Sequence, residues 1–141
     1  MTLTRFQKIT LGIAGVTAFS IGAAILATPQ AFYAGSGIAL GPDASLLSEL
    51  RAPAAGLAAF GMLMLAGIAH RALAHVSIAV ALTVFLAFPT GRLVGMLVDG
   101  IPSGGIIGAL VVELGIAALC LVAFRPRLAV PLAGDSRLAD P

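Results

Sequence analysis

Residues 104–124 read GGIIGALVVELGIAALCLVAF, twenty-one positions with one charged residue, Glu113. As an α-helix this stretch is about 32 Å long at 1.5 Å per residue, roughly the thickness of the hydrocarbon core of a bilayer. A segment that apolar must satisfy its own backbone in lipid, which a helix does, so it reads as a transmembrane helix. Moving back along the chain, residues 72–91 carry no charge and form a second candidate span. Beyond Pro89, Gly91 and Arg92 the apolar run Leu93–Val98 extends that helix to about residue 98 if it continues, kinked, past the proline. The run Ala52–His70 is a third, and Ile9–Ala27 a fourth, within a stretch from Lys8 to Asp43 that holds no charge between its ends.

The whole chain agrees with these segments. Of its 141 residues 60% are hydrophobic and 10% charged, with a mean hydropathy of +1.09, against about 25% charged in soluble domains. Four spans leave room for loops and a tail but for no extramembrane domain. The expected fold is an all-α membrane protein, a single four-transmembrane-helix bundle over residues 1–125 followed by a tail over 126–141. Prolines at 126, 131 and 141 argue against helix in that tail. Arg5 and Lys8 before the first span resemble the start of a signal peptide. The apolar core is longer than a signal core and no A-x-A site follows, so it reads as an uncleaved anchor.

Orientation follows from the distribution of positive charge, since basic loops are disfavoured in translocation. Arg5, Lys8, Arg71, Arg125, Arg127 and Arg137 fall on one side of the four spans, and Arg51 and Arg92 on the other. Six against two places both termini in the cytoplasm. The net charge of +2 is spread along the chain and makes no nucleic-acid footprint.

The connections differ. The cytoplasmic one is a few residues around His70, Arg71 and His75. The first outer connection, residues 28–50, has Phe32 and Tyr33 at interfacial depth, then Gly35, Gly37 and Gly41-Pro42 as turn formers. Asp43 is suited to cap a helix starting at Ala44 and running into the next span, with Pro53 expected to start or kink it. The second outer connection is the turn Asp99-Gly100-Ile101-Pro102. Function is expected on this side.

Glu113 lies about 15 Å from the outer end of its span. A carboxyl there is either protonated or paired with a cation, and an ionisable residue at mid-membrane is a functional-site hypothesis in its own right. Gly105, Ala109 and Ala117 share its helical face and let another helix approach, so it is expected to face the bundle. The cations within reach are Arg92 and Arg51, whose guanidinium groups can grip a carboxylate bidentately. Together Glu49, Arg51, Arg92, Asp99 and Glu113 make a candidate charge cluster under the outer surface, for binding or for structure. The plainer reading of Glu49, Arg51 and Asp99 is that of interfacial anchors.

Other features carry less. His70 and His75 are five apart, off the four-residue spacing of a helical metal pair, and Cys120 is the only cysteine, so no metal site is expected. Gly104/Gly108 and Ala14/Ala18/Gly22 are small-residue ridges that serve internal or oligomeric contacts equally. No G-x-S-x-G, H-E-x-x-H, C-x-x-C or phosphate-binding glycine loop occurs, and no cofactor or catalytic residue is implied.

The string LSELRAP over residues 47–53, Gly91-Arg92, Asp99-Gly100-x-Pro102 and Glu113 resemble a family of small bacterial four-helix inner-membrane proteins with a domain of unknown function. The resemblance covers the chain from the first span to Arg125. It implies a four-helix bundle with a shared polar site at these positions, in a bacterial inner membrane, and no activity. A likeness to DoxX-like four-helix proteins is architectural. Three functions are consistent with the residues. The leading one is a non-catalytic protein, either an accessory subunit of a larger membrane complex or a binder of a small amphiphile or lipid. The others are a proton-coupled transporter or pore acting as a homo-oligomer, and a membrane enzyme on a lipidic substrate.

Overall fold

The computed structural model describes residues 2–128. They form helices and connecting turns, with no strand among the described residues. Helix α1 is Arg5–Ala27, a short α2 is Pro29–Ala34, α3 is Ala44–Ala69, α4 is Ala74–Asp99 and α5 is Gly104–Leu128, with a single 3-10 turn at Arg71–Leu73 between α3 and α4. Four of these helices are long and apolar enough to cross a membrane. They run up, down, up and down, so the starts of α1 and α4 and the ends of α3 and α5 meet at one end, called here the terminal end. The first and third connections meet at the far end.

Local signals explain the boundaries. Thr4 and Gln7 close a reciprocal capping box at the start of α1, satisfying two backbone donors that a helix start leaves open. Asp43 accepts from the Leu46 amide at 2.7 Å, which starts α3 at Ala44 as expected. Pro53 and Pro89 both lie inside helices. Helix α4 therefore continues to Asp99, and Arg92 belongs to it. Gly100 stops it with a φ of 97°, a backbone region that a side chain would oppose. At the other terminus α5 runs through Leu128, four residues beyond the expected end of the fourth span. Residues 126–128, assigned to the tail from sequence, are thus helical in backbone, and the rest of that tail lies outside the described residues.

The bundle is apolar on both its surfaces. Leu11, Met64, Ala81, Phe85, Cys120 and Phe124 fill the interior. Ile9, Val16, Phe60, Met62, Val111 and Val122 are exposed. A continuous exposed apolar surface of this kind suits lipid rather than water. The tightest seam joins α1 to α3. A Cβ added to Gly22 would stand 2.5 Å from the Ala58 amide nitrogen and 2.6 Å from the Ala54 carbonyl oxygen, and one on Gly15 3.0 Å from the Gly61 carbonyl oxygen. Ala14, Ala18 and Gly22 are buried in the bundle, so this ridge serves internal packing. The Gly104/Gly108 pair does not pack within the chain, since a Cβ at either position would meet nothing within 4 Å. Buried polar side chains are satisfied: Gln7 Nε2 donates to the Ala123 carbonyl at 2.9 Å, Thr10 to Phe6 at 3.0 Å and Ser77 to Leu63 at 2.6 Å.

Candidate functional site

Glu113 sits nine residues into α5 and Arg92 seven residues before the end of α4, which places both roughly 10 to 14 Å from the far end at helical rise. They meet there. Arg92 Nε donates to Glu113 Oε2 at 2.9 Å and to Oε1 at 3.1 Å, and Nη2 donates to Oε1 at 3.0 Å. This is a fork-on-fork ion pair, the strongest geometry available to the two groups. Its partners differ in burial. The Glu113 side chain is 9% exposed and that of Arg92 28%. Arg92 Nη1 has no partner within the chain among the described residues, and a guanidinium carries five donors. One edge of the arginine is therefore committed to the carboxylate and the other is open.

The remaining members of the sequence-derived cluster lie elsewhere. Arg51 turns to the end of α1, where its Nε donates to the Leu26 carbonyl at 3.1 Å. That carbonyl is in the last turn of a helix, where acceptors lack intrahelical donors and a cation is favourable. Glu49 and Asp99 are exposed and join no ion pair among the described residues. The structure thus brings together two of the five residues. Glu49 and Asp99 have solvent-side space available, and Arg51, seven residues into α3, reaches the end of α1 instead.

Beside the Arg92–Glu113 pair lies a chamber of about 320 Å³. Ala18, Ile21 and Ile25 from α1, Leu57 from α3, Val84 and Phe85 from α4 and Ala109 from α5 make its apolar walls. Arg92 and Glu113 are the charged residues that line it. Ala18, Gly108 and Ala109, which line the chamber, are too small to fill it. Phe88, Gly108 and Val112 line the chamber and are also exposed on the outside of the bundle. The space therefore opens sideways.

Sequence reasoning missed the cover of this chamber. Phe32 and Tyr33, expected only as interfacial rings, sit on α2 in edge-to-face contact with centroids 5.5 Å apart and line the chamber with Ser36. The cover is tied down by the Ser103 hydroxyl, which donates to the Ser36 carbonyl, and by Gly105, where a Cβ would come within 3.0 Å of Ser36 Cα. The available signal was Thr28-Pro29 directly after the first span, since proline is favoured in the first turn of a new helix.

A bundle of four membrane-length helices with an internal, laterally open chamber and, among the described residues, one half-buried ion pair is the class these features define. The chain belongs to the family described as Domain of unknown function (DUF4345), whose model matches residues 6–124. No curated protein and no solved structure matches it.

Proposed function

We propose that this protein is a non-catalytic multi-pass protein of the bacterial inner membrane, with both termini in the cytoplasm, that holds a small amphiphile in the outer half of its bundle. It acts alone or as an accessory subunit of a larger membrane complex. The observation that carries this reading is the chamber: apolar walls, a sideways opening and one guanidinium edge with unused donors. Ligand sites are typically apolar cavities of about 300 Å³ and upward with a few convergent polar groups. A volume of 320 Å³ equals roughly ten water molecules in the liquid, which suits a compact head and a short apolar segment rather than a whole two-chain lipid. Arg92 and Glu113 cancel in charge, so the open edge favours a neutral acceptor such as a carbonyl oxygen over an anion.

A proton-coupled transporter with Glu113 as the titrating group is less well supported, because both oxygens of that carboxylate are held by Arg92. Purification from native membranes in mild detergent, followed by mass spectrometry of the intact protein and of its organic extract, tests the binding reading. Wild type is expected to retain one small amphiphile, and Ala109→Phe, which fills the chamber, to lose it while remaining folded. A wild-type protein that carries no bound molecule, or an Ala109→Phe protein that carries the same one, would overturn it.

A further inference from the structure

A second pocket lies at the opposite end of the bundle, between the first turns of α1 and the 3-10 turn that links α3 to α4. Its volume is about 220 Å³, and Lys8 and Arg71 line it from two different elements. Both residues are exposed, and neither side chain has a hydrogen bond or ion pair among the described residues. Every acidic residue described, Asp43, Glu49, Asp99 and Glu113, belongs to the far half of the bundle, so nothing described at the terminal end neutralises them. The backbone segments that carry the two cations are held in place. Lys8 follows the Thr4/Gln7 capping box, Gln7 is pinned to Ala123, and the 3-10 turn is closed by the Leu73 amide donating to the His70 carbonyl. Gly67 also lines the pocket, and a Cβ there would collide with Ser77 of α4.

We propose that this pocket binds a phosphate group of net negative charge, that of an anionic phospholipid. Two cations lining one concavity can neutralise a phosphate between them, with the guanidinium supplying paired donors and the ammonium a point charge. The depth suits a headgroup. Helix α1 spans about 34 Å against a hydrocarbon core of about 30 Å, so its first turn and the neighbouring 3-10 turn fall where lipid phosphates lie. Basic pockets between helices on the cytoplasmic side are known to accept anionic headgroups. The volume, roughly seven water molecules, admits a phosphate and the first atoms attached to it. The site is separate from the chamber: along α1 the nearest residues lining the two, Lys8 and Thr17, are roughly 14 Å apart at helical rise.

Native mass spectrometry of the full chain, released from mixed phosphatidylglycerol and phosphatidylcholine, reads the occupancy directly. Wild type is expected to retain phosphatidylglycerol in preference. The preference should fall about tenfold or more in either Lys8→Gln or Arg71→Gln, the loss of one charge-assisted contact to the phosphate, and further in the double variant. Lys8→Arg should keep it. The double variant Arg5→Gln/Arg125→Gln removes the same charge from the same end but lines no part of the pocket, and should stay within about twofold of wild type. An equal fall in that control would replace the site by diffuse surface attraction, and absence of any preference in wild type would also overturn the proposal. Millimolar inorganic phosphate separates the sources: displacement of the lipid would assign the phosphate to solution, while indifference keeps it with the lipid.

Discussion

Removing one partner of the Arg92–Glu113 pair should cost different amounts depending on which partner goes. Arg92→Ala strands a carboxylate whose side chain is 9% exposed, with no other cation bonded to it among the described residues, and should destabilise the bundle by about 3 to 5 kcal/mol. Glu113→Gln strands a guanidinium that is 28% exposed and can turn its donors toward the open edge, so the cost should be about 1.5 to 3 kcal/mol, the loss of charge-assisted hydrogen bonds. The double variant Arg92→Ala/Glu113→Gln should fall short of the sum by about 2 kcal/mol, because the second change removes the group the first left unpaired. Replacing both by apolar residues of similar size, Arg92→Met with Glu113→Leu, should leave stability within about 1 kcal/mol of wild type or raise it. Equilibrium unfolding in mixed micelles, followed by far-ultraviolet circular dichroism, measures all four. Additivity within about 0.5 kcal/mol, or an equal cost for the two single variants, would refute the reasoning. The apolar pair also separates structure from function: it should fold and yet lose the retained amphiphile.

Two further outcomes test the packing. Gly22→Ala should destabilise by about 1 to 3 kcal/mol, since its Cβ would press on the backbone of Ala54 and Ala58, whereas Gly115→Ala, which meets nothing within 4 Å, should stabilise by up to about 1 kcal/mol through helix propensity; the same unfolding assay compares them. Gln7→Ala removes the buried bond to Ala123 and half of the capping box, and should cost about 1 to 2 kcal/mol, with amide exchange rising in the first turn of α1.

Particular residues show why some of this structure was legible and some was not. Asp43 announced the start of α3, because an aspartate before a helical stretch caps through a contact three residues away. Glu113 announced that it faces inward, because a carboxyl in an otherwise apolar span must be sheltered. Its partner was narrowed to two arginines, and only packing chose between them. Arg51 found an unsatisfied carbonyl at the end of α1, and Arg92, on a helix that runs through Pro89, arrived opposite Glu113. The chamber left no trace in any local pattern. Its walls are ordinary aliphatic residues, and its cover is a six-residue helix whose rings read equally well as interfacial anchors.

The sequence by itself determined the number of long helices, their approximate bounds and the presence of one carboxyl that needed a partner. Those follow from hydropathy, caps and the cost of charge in an apolar segment, all of them local quantities. Tertiary structure alone decided that Arg92 rather than Arg51 pairs with Glu113, that the α1–α3 seam closes on bare glycines, and that a chamber remains beside the pair. These depend on how far apart four helices sit and how each is rotated about its axis. That is fixed by the sum of contacts across the bundle and by no single stretch of chain.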